Sequence, residues 1–208
     1  MNTTMIPHST SRCILAVLFV FAVAGVTRAQ MDAGFIGKRY AGVALFTEDL
    51  RKQDISNGNG VELNGNVPLN SFLDANVRAS YEKFNDYSIS DKRFGGSLIG
   101  YADLDTWKPF MELSVANTAQ ASTVSGIKYK NSENYWSIGA GVEAAITKST
   151  AIFGLVTHNN YFDSKRDAYW TYKFGLNTWF TAKIGGVFSV SFFESESVTY
   201  SFGMTYRF

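Results

Sequence analysis

After residue 30 the chain has no long apolar run. That excludes membrane-spanning helices, which need roughly 20 consecutive apolar residues. Cysteine is almost absent: Cys13 is the only one, so residues 30–208 can form neither a disulfide framework nor a thiolate metal site. Histidine is reduced to His8 and His158, leaving one imidazole in the body of the chain for general-base work or metal ligation. Neither sign of charge is in excess, with 19 Lys and Arg against 18 Asp and Glu. No basic patch points to nucleic acid, and nothing implies a cofactor. A sustained helical period is missing as well.

The one long apolar stretch lies at the front. Ile14–Val26 is uniformly apolar, Arg12 precedes it, and Thr27 and Ala29 sit at small-x-small positions before a cut. This is the pattern of a secretory signal peptide, too short to cross a bilayer as a helix. The expected division is therefore a signal peptide at 1–29 and a single domain at 30–208, a length suited to one domain. Cys13 lies ahead of the apolar core rather than after it, so lipidation is not expected. Removing Arg12 and Arg28 turns a formal charge of +1 into −1.

Alternation fills the rest. In "GVELNGNVPL", Val61, Leu63, Val67 and Leu69 oppose Glu62, Asn64 and Asn66. In "FLDANVRASYE", Leu73, Ala75, Val77, Ala79 and Tyr81 oppose Asp74, Asn76, Arg78 and Ser80. The same period of two runs through "WKPFMELSV", "YWSIGAGVEAAIT" and "YWTYKFGLNTWF", and it recurs in the last 12 residues, "SVTYSFGMTYRF". Side chains of a strand point to opposite faces in turn, so each of these segments reads as a strand with one apolar face. Ten strands are expected, near 37–47, 59–69, 72–83, 92–103, 107–117, 133–146, 150–159, 168–181, 184–194 and 197–208. Those near 37–47, 92–103, 150–159 and 184–194 carry apolar residues on both sides, which leaves their facing open.

The connections fall into two kinds. Short turns are expected at 70–71, 104–106, 147–149 and 182–183, alternating with longer polar segments at 48–58, 84–91, 118–132 and 160–167, although the last connection, at 195–196, is tight. Charge gathers in the longer ones. Membrane barrels of the outer-membrane type show this asymmetry, with short periplasmic turns and longer external loops. A soluble barrel turns its apolar face inward and a membrane barrel outward. Here the polar faces are mostly Ser, Thr, Asn and Gly rather than Lys and Glu. Bulky aromatics (Trp107, Trp136, Trp170, Tyr81, Tyr206, Phe208) mark strand ends on the apolar face, where interfacial girdles lie. The apolar face is therefore expected to meet lipid.

The terminal "SFGMTYRF" resembles the C-terminal assembly signal of bacterial outer-membrane β-barrels: Ser201, then Gly203, then Tyr206 third from last and Phe208 last. The chain as a whole resembles the small OmpA-type and outer membrane protein β-barrel families over most of residues 35–208. The resemblance implies an all-β fold, a closed antiparallel up-and-down transmembrane barrel in the bacterial outer membrane. It also implies two partners, outer-membrane lipid and the barrel-assembly machinery that reads the final strand. Such small barrels commonly have eight strands, so a count of ten departs from the pattern.

In this reading the interior carries Glu62, Asp74, Glu112 and Glu143 against Arg78, Lys108, Lys173 and Arg207. Four acids face four bases. In a bore of eight to ten strands, charges surviving in pairs favour a packed plug over an open channel. Glu143 is expected to pair with Lys108 or Lys173. No catalytic or metal residues are expected. His158 lacks the serine two residues on that outer-membrane lipid deacylases need, Asn160 standing there instead. The longer polar segments at 48–58 and 118–132 are where an extracellular ligand would be met. The expectation is a non-enzymatic outer-membrane barrel with a structural or surface-interaction role. A narrow porin, a soluble secreted barrel and a membrane-embedded lipid hydrolase are the alternatives, in that order.

Overall fold

The structure, a computed structural model, describes residues 33–50, 57–84, 89–124, 127–163, 167–194 and 197–208. The expected signal peptide, 1–29, lies outside them. Ten strands follow in chain order: β1 (Tyr40–Leu50), β2 (Gly58–Pro68), β3 (Leu73–Phe84), β4 (Ser90–Tyr101), β5 (Trp107–Val124), β6 (Ile127–Ala145), β7 (Thr150–Tyr161), β8 (Tyr169–Trp179), β9 (Ile184–Phe193) and β10 (Ser197–Arg207). Each pairs antiparallel with its sequence neighbours, and β10 returns to β1 to close the barrel. The closing ladder sets Ala44 opposite Gly203, and Tyr40 opposite Arg207. Closure leaves no sheet edge within the barrel wall, which is what lipid demands of a spanning β-structure.

Side chains divide by parity, and the protein is inside-out. Leu45, Leu63, Val77, Phe94, Leu113 and Phe202 are exposed on the outer face, whereas Asn66, Asp74, Asn76, Glu112, Ser137 and Ser189 are buried within. A strand of 10–12 residues rises ~3.4 Å per residue, so at the usual tilt it spans about 25–30 Å, enough for the outer-membrane apolar band. Ala33, Ala145 and Ala151 form a small buried apolar cluster near one end.

The short turns are built by side chains of a fixed type. Thr147 Oγ1 accepts from the backbone N–H of Ser149 (3.2 Å) and Thr150 (3.0 Å). Thr181 Oγ1 does the same for Lys183 (3.2 Å) and Ile184 (2.9 Å), and Asn70 Oδ1 accepts from Phe72 (2.9 Å). Such local bonds hold tight turns without glycine.

The strands whose facing was open have a simple resolution. Ile99, Phe153, Leu155, Val187 and Phe193 point into the bore although they are apolar. Three inward phenylalanines lie flat on a glycine directly across the ladder: Phe46 on Gly60, Phe110 on Gly141, Phe153 on Gly175. A Cβ at any of these glycines would collide with the ring.

One segment differs from expectation. The described part of 118–132 is strand rather than loop. β5 runs on to Val124 and β6 starts at Ile127, making a hairpin longer than its neighbours. β4 covers β5 only as far as Ala121, and β7 covers β6 only up to Tyr135, so the hairpin stands above the barrel with both edges uncovered. The Ser/Thr/Asn composition disguised it, because both faces mix the two kinds: Ala119 and Ala121 share one with Lys128 and Lys130, and Ile127 and Tyr129 share the other with Gln120 and Asn131. Likewise β1 continues to Leu50 and takes in the first residues of the expected 48–58 segment.

Candidate functional site

The bore has three tiers, and each of the eight expected interior charges occupies one of them. At the end bearing the short turns, the chain ahead of β1 turns back into the barrel mouth. Gly34 (φ 92°) and Gly37 (φ 80°) take the left-handed conformation that glycine permits, and the two residues between them present their amides together. Phe35 N–H donates to Glu143 Oε2 at 2.9 Å, and Ile36 N–H to Glu143 Oε1 at 3.3 Å. Asn177 Nδ2 donates to the same carboxylate at 2.9 Å. Gly37 N–H donates to Asp74 Oδ2 at 2.8 Å, and Asn66 Nδ2 bonds both Asp74 Oδ2 (2.7 Å) and the Lys38 carbonyl (2.9 Å). Lys108 Nζ donates to the Ile36 carbonyl at 3.2 Å and pairs with Asp103 at 3.2 Å. Trp179 Nε1 donates to the Gly34 carbonyl at 2.9 Å, and the Phe35 ring packs between Trp179 and Tyr40 at 4.9 and 5.1 Å. Arg207 stacks on the Trp179 indole at 5.7 Å. Residues 33–38 are thus a strap tied to β2, β3, β5, β6 and β8.

This corrects the expected partner of Glu143. Lys108 sits opposite it in the ladder, but the Glu143 carboxylate, on a residue 1% exposed, takes backbone amides and an asparagine instead. Sequence reasoning had no access to this, since the ligands are main-chain groups of a segment outside every strand.

The middle tier holds the remaining expected charges. Arg78 pairs with Glu112 at 3.4 Å and donates to Asn76 Oδ1 at 3.1 Å. Asn64 donates to Glu62 at 3.4 Å, and Lys173 projects into the same region of the bore. Below this tier lies a cavity of about 120 Å³, above it one of about 800 Å³, and Glu62, Arg78, Glu112 and Lys173 line both.

The upper tier holds charges that the alternation did not single out. Arg93 is surrounded by Asp91 (2.8 Å), Glu82 (3.5 Å) and Glu48 (3.9 Å). Ser197 Oγ donates to Glu48 Oε1 at 2.6 Å, and Thr118 Oγ1 to Asp91 Oδ1 at 2.7 Å. A signal existed for Glu82, which continues the parity of Asp74, Asn76, Arg78 and Ser80. Glu48, Asp91 and Arg93 had read as loop-side charge.

His158 faces outward, with the Trp170 ring at 4.8 Å and the Trp136 ring at 6.1 Å. Ser201 and Gly203 lie on the inward parity of β10, while Tyr206 and Phe208 stack outward at 6.4 Å. No helix among the described residues is long and apolar enough to cross a membrane, which leaves spanning by strands untouched. Among the described residues, no group of three His, Cys, Asp or Glu side chains is placed to hold a metal.

The model of the outer membrane protein beta-barrel domain family matches residues 13–181. The chain belongs to that family. It is an integral barrel of the bacterial outer membrane. No curated protein matches the sequence. Among solved structures, neisserial surface protein A is 12% identical, with 82% of this chain and 96% of that chain covered and a TM-score of 0.46. The translocator domain of the autotransporter NalP from Neisseria meningitidis is 13% identical, with coverage of 97% and 99% and a TM-score of 0.45. Ail, the attachment invasion locus protein of Yersinia pestis, is 12% identical, with coverage of 82% and 97% and a TM-score of 0.44.

Proposed function

We propose that this barrel is a non-conducting, non-enzymatic anchor that carries a surface-interaction element, its periplasmic mouth closed by its own N-terminal strap. The observation that carries the reading is the strap itself. Five strands contribute hydrogen bonds to five consecutive residues, 34–38, and the carboxylates that receive its amides are buried. Cleavage after Ala29 would put the new N-terminus, Gln30, three residues ahead of Ala33.

Outside, the β5–β6 hairpin is the natural contact element, together with the segment following β1. Both fall in the stretches 118–132 and 48–58 where an extracellular ligand was expected. Asn117 Nδ2 bonds Ser132 Oγ (3.0 Å) and Asn134 Oδ1 (2.9 Å), stiffening the hairpin's base, and Lys128 and Lys130 near its tip guard the open edges against self-pairing. Lipid is met by the outer apolar face, and the barrel-assembly machinery by β10 with its terminal Tyr206 and Phe208. The non-enzymatic assignment rests on His158, which faces the membrane between two tryptophans with Asn160 where a nucleophile would be needed.

A narrow porin is the second reading, favoured by the two cavities that meet at the Arg78–Glu112 pair. Planar-bilayer recording separates the two. The wild-type barrel should be silent, and a variant lacking residues 33–37 should conduct. Steady conductance from the wild type would replace the plug with the porin.

A further inference from the structure

The upper cavity has two unlike walls. On β6 to β9, four inward rings form a staircase: Tyr135 to Tyr161 at 6.0 Å, Tyr161 to Tyr169 at 6.2 Å, and Tyr169 to Phe193 at 6.5 Å. All four line the cavity of about 800 Å³, a size common to small-molecule sites. The other wall is acidic. Glu48 and Asp91 line it, and Glu82 stands behind them, 1% exposed. Arg93 is the cation that meets these three carboxylates among the described residues, and it lies within electrostatic reach of Tyr135 and Tyr169, so the walls face one another.

The hydrogen bonds show what is missing. Both Asp91 oxygens are partnered, by Arg93 and Thr118. Glu48 has Ser197 on one oxygen and a long contact to Arg93 on the other. Glu82 Oε1 lies buried against Gly58 and meets no donor among the described residues. Among the described residues one guanidinium meets three carboxyl groups, and Glu48 and Glu82 lie within hydrogen-bonding reach of each other, so the wall as a whole carries excess negative charge. Aromatic faces attract cations, most strongly when water is excluded.

We propose that this outer vestibule is a binding site for a small organic cation bearing an alkylammonium group, held between the aromatic staircase and the Glu48–Glu82–Asp91 carboxylates. Sodium would satisfy the charge but not the rings, and a neutral sugar the rings but not the charge. The strap closing the opposite end makes the vestibule a dead end rather than a passage, and the site does not depend on that closure.

The test uses the whole barrel in a maltoside detergent, which carries no ammonium group, at fixed ionic strength. Calorimetric titration with choline is compared with 3,3-dimethyl-1-butanol, which has the same shape without the charge. Choline should bind saturably, and the alcohol at least about tenfold more weakly. Glu82→Gln on one wall and Tyr169→Leu on the other should each weaken choline about three- to tenfold. If Glu82→Gln does not fold, Tyr169→Leu decides alone. No saturation by choline below about 10 mM overturns the proposal. So does equal binding of the uncharged alcohol, or full affinity in either folded variant.

Discussion

The carboxylate of Glu143 accepts the backbone N–H of Phe35 at 2.9 Å, joining two residues 108 positions apart in the chain. A strand residue and a residue outside every strand thus fix the end of the barrel that bears the short turns. The contact is charge-assisted and buried, and Ile36 and Asn177 reinforce it. A hydrogen bond to a buried charged group is worth about 1.5–3 kcal/mol, and here three converge.

Glu143→Ala should therefore free the strap without opening the barrel. Hydrogen exchange at the Phe35 and Ile36 amides should accelerate about 10- to 100-fold, matching ~1.5–3 kcal/mol of lost local stability. Amides of β2 and β10 should keep their protection. Unchanged exchange at Phe35 would show that Trp179 and Asp74 hold the strap without Glu143.

Leu113 is an exposed, lipid-facing residue in the spanning part of β5. Leu113→Arg should cost about 2–4 kcal/mol of folding stability in bilayers if the residue lies near the midplane. Ser191→Ala, on the bore side of β9, should stay within about 0.5 kcal/mol. Equal costs in denaturant titrations from vesicles would reverse the facing. Gly141, also on the bore side, is no neutral control, because the Phe110 ring and the Gly154 carbonyl occupy the space of its Cβ.

Phe208 is 64% exposed, stacks on Tyr206, and closes the chain with a long bond from its N–H to the Arg39 carbonyl (3.4 Å). Deleting it should cost only about 1 kcal/mol of apolar burial, so purified chain should still refold into detergent. In cells the deletion should strip the assembly signal, and membrane-inserted protein should fall while degradation or a periplasmic pool rises. Normal insertion of the truncated chain would remove Phe208 from that signal.

The barrel was legible because a lipid-facing wall makes alternation nearly strict, as in Val61, Leu63 and Val67 against Glu62, Asn64 and Asn66, and its facing was legible because the polar faces are Ser, Thr, Asn and Gly rather than Lys and Glu. Ten rather than eight strands followed from counting such runs. The bore was legible only where its residues were polar. Ile99, Phe153 and Leu155 face inward and blurred the period of β4 and β7, since a bore this narrow also takes rings that lie flat on glycines. The strap was invisible in kind. It acts through backbone amides, and its sequence, "AGFIGK", carries no period at all.

The hairpin above the barrel should be dispensable for folding. Above Ala121 and Asn134 it has no paired strand on either side among the described residues, so it adds little to closure. Replacing residues 122–129 with an Asn-Gly turn should preserve assembly and shift stability by no more than about 1 kcal/mol, because that turn suits a two-residue hairpin. Failure of the shortened chain to enter the membrane would assign the hairpin a role in folding. Unchanged assembly with lost cell-surface contacts would be the signature of an interaction element.

Arg93 offers a test of how the three acids of the upper bore are held. Arg93→Met leaves Glu48, Glu82 and Asp91 facing one another without their common cation. Removing one member of a fully buried charge set costs ~3–5 kcal/mol, but the Arg93 side chain is 36% exposed, so about 2–3 kcal/mol is expected after screening. Glu82→Gln alone removes the carboxylate with an unpartnered oxygen and should cost less. In the double variant the repulsion that Arg93→Met creates is partly relieved, so the two costs should not add. A coupling of about 1–3 kcal/mol is expected from equilibrium unfolding of all four proteins. Additive costs would mean that water, and not Arg93, screens these carboxylates from one another.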